Sequence, residues 1–257
     1  MMELSVVIIS RNEEENIRRC IQSVSWADEV ILVDSQSTDR TREIAGQLGV
    51  RIFSPPWRGF GHAKREAVKQ ARGKWILSID ADEVVSSELA REIKDVMRDT
   101  SGLAGFYIPR RTNFLGRWIR HCGWYPDRVL RLFLKSRGDY DEATVHEKVI
   151  LDGPVGNLAG ELLHYSYPSL EHYLDKFNHY TTLGAEEAYR RGRRTRWPDI
   201  VLRPPVAFIK HYISRQGFRD GLEGFIISVM SSIAVLVKYA KLRHLGKKDA
   251  ATEGDSA

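Results

Sequence analysis

The sequence predicts an α/β fold built on a doubly wound, mostly parallel sheet, with a helical, basic C-terminal extension. Three observations predict it. Four short, β-branched apolar runs, at residues 5–9, 30–33, 50–53 and 75–79, are nearly continuous, as strands buried on both faces are. Stretches of helical period alternate with them, which implies parallel strands joined by right-handed crossovers. The formal net charge of +5 arises wholly after residue 170, because acids and bases balance before it.

The elements follow in order. Ile17, Cys20, Ile21 and Val24 repeat at i, i+3, i+4 and i+7, which places a helix after the first strand. Ser10 or Asn12 is its expected N-cap, with Glu13, Glu14 and Glu15 in its first turn. A second helix is expected over 38–48, stopped by Gly49, and a third over 62–72, stopped by Gly73. A fourth follows at 87–98. Residues 105–110 and 128–134 read as two further strands. The long aromatic loop between them, 112–126, is of a length that often serves binding. It is expected to stack on a ligand through Trp118, Trp124 and Tyr125, or to form the core of a small subdomain. Residues 169–192 read as a Tyr-rich helix, and 195–205, with three prolines, as a basic connector.

The last apolar segment, 224–237, has 14 residues without charge. That is about 21 Å of helix, against the ~20 residues needed to cross a bilayer. A core helix and an in-plane membrane helix both fit it. The two cysteines, Cys20 and Cys122, form neither a disulfide framework nor a metal spacing. The N-terminus lacks a basic region before its first apolar run, so a cytoplasmic location is expected. The cationic C-terminal third calls for a polyanionic partner: membrane lipid, a phosphorylated glycolipid or nucleic acid.

Chemistry concentrates where strands end. The first strand runs into S-R-N-E, the second into D-S-Q-S-T-D and the fourth into D-A-D-E. In open parallel sheets ligands bind at that edge. The pair Asp80 and Asp82, two positions apart across a turn, suits a hard divalent cation, Mg²⁺ or Mn²⁺, that shares its sphere with phosphate oxygens. Glu83 reads as a turn or helix-cap residue. D-x-D also occurs in hydrolases with an aspartyl nucleophile, but there it follows the first strand, whereas here it follows the fourth.

The segments S-V-V-I-I-S-R-N-E-E-E-N-I, V-I-L-V-D-S-Q-S-T-D-R-T, G-F-G-H-A-K-R-E-A and W-I-L-S-I-D-A-D-E, spanning about residues 4–98, resemble the family 2 glycosyltransferases of GT-A fold. The later R-V-L-R-L-F, V-H-E-K-V and L-L-H-Y-S-Y are similar to the branch that adds glucose to the heptose of the lipopolysaccharide inner core. The resemblance implies inverting, metal-dependent transfer of a hexose from a UDP-sugar. It places Ser10, Arg11, Asn12, Glu13 and Asp34 on uracil and ribose, and Lys64 near the nucleotide or its phosphates. Asp80 is expected on ribose or metal, Asp82 on the metal, and His164 as a further metal ligand. The family's usual Glu-Asp pair is absent at its expected place, so Glu147 is the first candidate for general base and Asp127 the alternative, each with a plain ion pair to arginine as its competing reading. His146 would orient the base or touch substrate.

This reading divides the chain into a glycosyltransferase domain at 1–168, whose nucleotide-binding half is 1–98 and acceptor half 99–168. A helical basic region at 169–246 and a disordered tail at 247–257 follow. The expected acceptor is a lipopolysaccharide or other lipid-linked glycan, such as a polyprenyl phosphate. The expected location is the inner face of the plasma membrane, reached through the basic region. Binding of nucleic acid through the arginines would explain the charge and leave the acids at the sheet edge without a role.

Overall fold

A computed structural model gives the architecture and describes residues 2–56, 59–99, 102–141 and 148–254. The chain forms two compact units. The first comprises Met1–Arg111 and Pro126–Tyr165, the second Thr112–Tyr125 and Ser166–Ala257.

The first unit opens with β1 (Leu4–Ser10), α1 (Ile17–Ser23), β2 (Glu29–Asp34), α2 (Thr41–Gln47), β3 (Arg51–Phe53), α3 (Phe60–Gln70) and β4 (Trp75–Asp80). It continues through β5 (Glu83–Val85), α4 (Ser87–Arg98) and β6 (Gly105–Phe114), whose far end enters the second unit and pairs there with β7 (Arg117–Trp118). β8 (Asp127–Leu134), β9 (Gly138–Tyr140), β10 (Val149–Leu151), β11 (Val155–Asn157) and β12 (Leu162–Tyr167) complete the strands. The main sheet has the order β3-β2-β1-β4-β8-β6-β12-β5. Its first four strands are parallel. β8 then joins β4 antiparallel, and β5 and β12 pair antiparallel.

Alternate side chains explain the apolar runs. Val6, Ile8, Leu32, Leu77 and Ile79 pack with Ile17, Cys20 and Ile21 of α1 and Leu89 and Ile93 of α4. Val7, Ile9, Ile31, Val33 and Ile76 pack with Ala63, Ala67 and Val68 of α3. Each strand is therefore covered on both faces, as a doubly wound sheet requires. α4 begins as expected: the Ser86 hydroxyl accepts the Leu89 N–H.

Two helix starts differ from the sequence reading. α1 begins at Ile17, and Glu13, Glu14 and Glu15 lie before it. α2 begins at Thr41, because the Thr38 N–H donates to Asn12 Oδ1 at 2.9 Å and is drawn out of the helix. The two loops are cross-linked: Asn12 and Glu14 accept the Thr38 and Arg40 N–H groups, and the Glu13 N–H donates to Thr41 Oγ1.

In the second unit the loop after β6 is core. Phe114, Ile119 and Cys122 are fully buried against Tyr173 and Ile227. Phe114 meets Trp124, Tyr167 and Tyr173 edge-on, with centroids 5.2 to 6.0 Å apart. α5 (Leu170–Arg190) carries Tyr173. The expected connector forms α6 (Trp197–Val201) and α7 (Arg203–Ile209), each with proline in its first turn, where a missing N–H costs nothing. A π-helical turn (Lys210–Ser214), a 3₁₀ turn (Gly217–Asp220) and α8 (Gly221–Gly254) follow. α8 therefore continues through part of the stretch expected to be a disordered tail. It is longer than its uncharged run suggested, and the segment Gly217–Lys247 is long and apolar enough to cross a membrane. Ile227, Tyr239 and Leu242 nevertheless turn inward, Ile227 onto Tyr173 and the other two onto Ala185 of α5.

Candidate functional site

Sheet register brings the polar strand ends together. Ser10 of β1 stands opposite Asp34 of β2, and Ile9 opposite Asp80 of β4. Neighbouring strands are about 4.8 Å apart, so the three C-terminal turns form one edge.

On the β1–β2 side the two turns interlock. Fully buried Asp34 accepts from the Ser37 N–H at 3.0 Å, from the Ser37 hydroxyl, and from the Ser10 hydroxyl at 3.3 Å. Asn12 takes a left-handed backbone (φ 55°), which short polar side chains tolerate. Its N–H donates to Ser37 Oγ at 2.9 Å, and the Glu13 N–H donates to Thr41 Oγ1 at 2.8 Å. Ser10, Asn12, Glu13 and Asp34 thus form a rigid rim. Arg11 is exposed beside it.

On the β4 side six charges alternate in a chain. Lys64 Nζ lies 3.2 Å from Asp80 Oδ1. Arg131 Nη2 reaches Asp80 Oδ2 at 2.5 Å and Glu83 Oε1 at 3.1 Å. Arg110 Nη1 is 3.2 Å from the same Glu83 oxygen, and Arg110 grips Asp127 Oδ2 through Nε at 2.9 Å and Nη2 at 2.6 Å. The order is Lys64, Asp80, Arg131, Glu83, Arg110, Asp127, in which each charge has an opposite neighbour. Such pairing is what makes buried charge tolerable. Burial opposes ionisation of Asp80, but Arg131, Lys64 and Arg110 hold its carboxyl well below the usual range. Glu83 Oε2 also accepts the Asp80 N–H at 2.9 Å and so fixes the turn itself. Cys20, beneath the turn, stays a thiol: burial pushes it up, and Glu83, Asp82 and Asp80 add to that.

Asp82 takes a different partner. β12 runs antiparallel to β5 and sets His164 opposite Glu83, which brings His164 Nε2 to 3.1 Å from Asp82 Oδ2. His164 Nδ1 is buried without a hydrogen-bond partner among the described residues. One carboxylate oxygen and one imidazole nitrogen at this separation fit two positions of a divalent cation's sphere. Among the described residues no group of three or more His, Cys, Asp or Glu forms a metal cage. A cation held here would draw its other ligands from water and substrate oxygens.

The remaining expected residues fall as follows. Lys64 is buried, not an ordinary exposed helix lysine. Asp127 is held by Arg110, the ion pair that was its competing reading. Glu147 and His146 lie outside the described residues. The sequence reading missed Glu83, Arg110 and Arg131. Arg131 had a legible signal: a cation inside V-L-R-L-F, with no route to solvent from a covered strand, needs a buried acid.

Acids and bases gathered at the carboxyl edge of a doubly wound sheet mark the ligand-binding edge of an α/β enzyme, and the class of that enzyme is glycosyltransferase. The profile of glycosyl transferase family 2 matches residues 5–147, more than half of the chain, and the chain belongs to that family. The lipopolysaccharide core biosynthesis glycosyltransferase LpsC of Rhizobium meliloti is 31% identical over 94% of this chain and 92% of its own length. An uncharacterized glycosyltransferase of Rickettsia typhi is 30% identical over 96% of this chain and 89% of its own. Glucosyl-3-phosphoglycerate synthase of Mycobacterium tuberculosis, solved with Mn²⁺ and UDP-glucose, is 27% identical over 43% of this chain and 44% of its own, with a TM-score of 0.39, an overlap too partial to carry a functional argument.

Proposed function

We propose that this glycosyltransferase is inverting and metal-dependent. It moves a hexose, glucose in our reading, from a UDP-sugar to a membrane-associated glycolipid such as lipopolysaccharide core heptose, at the inner face of the plasma membrane. The observation that carries the reading is the pairing of Asp82 with His164 beside a chain of charges whose members already neutralise one another. Asp80, Glu83 and Asp127 each have a cation of their own. Asp82 and His164 instead bring a carboxylate oxygen and an imidazole nitrogen within 3.1 Å of each other, a donor set that suits a hard-to-borderline divalent cation. The kinship with a lipopolysaccharide core enzyme along almost the whole chain supports the acceptor class.

In this reading Asp34, Ser10, Arg11, Asn12 and Glu13 receive the uridine. Asp82 and His164 hold Mg²⁺ or Mn²⁺, which when bound offsets charge on the diphosphate leaving group. Asp80 stays with Lys64 and Arg131, and those two cations face the same edge as the phosphates. Glu147 removes the acceptor hydroxyl proton as that oxygen attacks the anomeric carbon, and His146 orients that base or touches substrate. For Asp127 to serve instead, its carboxylate would have to leave Arg110.

The test is UDP release from a panel of UDP-sugars, with heptose-bearing and polyprenyl phosphate acceptors, with and without Mn²⁺. Asp82→Ala should lose at least about a hundredfold in turnover, since changes one shell further from a metal already cost 10–100-fold. It should melt like the parent. Turnover at the parent's rate would refute the metal role. Glu147→Gln should keep UDP-sugar binding and lose transfer; full activity would pass the base role to Asp127.

A further inference from the structure

Exposed large apolar side chains are distributed very unevenly. Among the described residues of the first unit only Met2, Ile150 and Val155 belong to that class. The second unit carries a continuous series. Leu202, Val206, Ile209 and Ile213 follow i, i+4, i+7 and i+11 through α7 and the π-helical turn, so they lie on one stripe of one helix. Each is 54 to 63% exposed. Phe218 and Leu222 extend the series into the 3₁₀ turn and the start of α8 and are exposed as well. An apolar patch of this kind on a folded protein marks a surface that something covers.

The charges identify what covers it. Residues 196–222 contain five basic side chains, Arg196, Arg203, Lys210, Arg215 and Arg219, all exposed, and two acids, Asp199 and Asp220, both buried. Asp199 accepts from the Arg196 N–H at 3.0 Å and from Arg203 Nε at 2.5 Å. Asp220 accepts from the His121 N–H at 2.7 Å and lies 2.9 Å from His121 Nδ1. Every exposed charge along the segment is therefore positive. A second copy docking through the same face would set these cations against themselves. Nucleic acid would match the charge and leave the apolar stripe wet. An anionic bilayer satisfies both: phosphates for the cations and acyl chains for the stripe.

We propose that α7, the π-helical turn and the 3₁₀ turn form an in-plane docking surface for an anionic lipid leaflet. The stripe enters the boundary between headgroups and acyl chains, and the basic side chains remain among the headgroups. This assigns the membrane contact to residues 202–222, which overlap the expected connector at 195–205 only at its end, and not to the face that α8 turns onto α5. It deepens the proposed function by naming how the enzyme reaches a lipid-linked acceptor, and rests on that reading only for its purpose.

Flotation with vesicles free of lipopolysaccharide tests the surface without the acceptor. The full chain should float with phosphatidylcholine–phosphatidylglycerol vesicles, bind phosphatidylcholine alone weakly, and be released by sodium carbonate. Val206→Asp with Ile209→Asp should abolish flotation while melting and UDP release remain at the parent's values. Ile213→Asp, judged the same way, serves if the double variant melts early. Lys210→Ala with Arg219→Ala should weaken binding to the anionic vesicles about thirtyfold, at about one kcal/mol per basic residue near the surface. Failure of the parent to float, flotation of the Asp variants like the parent, or retention through carbonate would overturn the proposal; retention would point to α8 as a span. A parent dimer that Val206→Asp with Ile209→Asp dissociates would assign the stripe to self-association and overturn it too. Flotation without any UDP release would sink the proposed reaction and leave the surface standing.

Discussion

Removing the charge of Glu83 while keeping its shape would leave Arg110 and Arg131 with one anion fewer, at the one position of the charge chain that is fully buried. Glu83 is fully buried and its two oxygens serve both arginines and the Asp80 N–H. Glu83→Gln is expected to cost about 3 kcal/mol, the usual scale for breaking a buried ion pair on one side. Arg131→Met alone should cost as much, since it leaves Asp80 with Lys64 and Glu83 with Arg110 as their remaining cations in the chain. The double variant should cost clearly less than the two added together, because each change removes what the other left unpaired. Urea unfolding of all four proteins measures this cycle; simple additivity would mean that the charges do not act as a chain. Asp80 and Asp82 stood out because acids end an apolar run, and His164 because a motif pointed to it. Glu83 shares that position and reads as a turn residue, which it is through the Asp80 N–H, but its arginine partners come from β6 and β8, about 30 and 50 residues away. No local pattern records a pairing that only the sheet order creates.

At the scale of elements, parallel strands were legible because burial on both faces leaves an unbroken apolar run. The helix starts were less so, since Asn12 and Thr38 bond across two loops that sequence treats separately. The opposite edge of the sheet shows a similar cross-element joint. Glu29, at the start of β2, accepts from the Ser5 hydroxyl of β1 at 2.6 Å and from the Arg72 N–H at 2.9 Å, and pairs with Arg51 of β3. Gly73 belongs to this joint: its N–H donates to Ser5 Oγ at 2.8 Å, and a Cβ there would come within 2.4 Å of the Ser5 nitrogen. The glycine that reads as a helix stop is thus also required by close backbone approach. Burial opposes ionisation of Glu29, but the Ser5 hydroxyl, the Arg72 N–H and Arg51 together hold its carboxyl below the ordinary value. A depressed folded-state value means that the stabilisation is complete above the unfolded value, near pH 4.3, and is lost as pH falls through the folded one. Glu29→Gln should therefore cost about 2 kcal/mol at pH 7. The gap from the parent should narrow below about pH 4. Denaturant unfolding across pH 3 to 7 checks this, and a gap that widens on acidification would contradict it.

At the scale of the whole chain, neither compact unit is one uninterrupted stretch of sequence. The backbone leaves the first unit at Thr112, returns at Pro126 and leaves again at Ser166. The expected domain boundary at residue 168 has no counterpart to the excursion through 112–125. The reason is physical: the aromatic loop reads equally as a binding element or as the core of a small subdomain, and Phe114, Ile119 and Cys122 are core, buried among Tyr173 and Ile227, which lie far downstream. A fragment ending at 168 would keep the loop and lose those partners. Phe114 alone, if its burial is undone, forfeits packing on the order of 3–5 kcal/mol, and Ile119 and Cys122 would be uncovered with it. The fragment is therefore expected to lose the near-ultraviolet circular dichroism of its aromatic residues around Phe114, to bind a hydrophobic dye and to aggregate. The parent Rossmann-like strands β1 to β4 would still be present in it. If instead the fragment proves monomeric, dye-silent and cooperatively unfolding, the loop finds a core within residues 1–168, and the boundary at 168 is the true one.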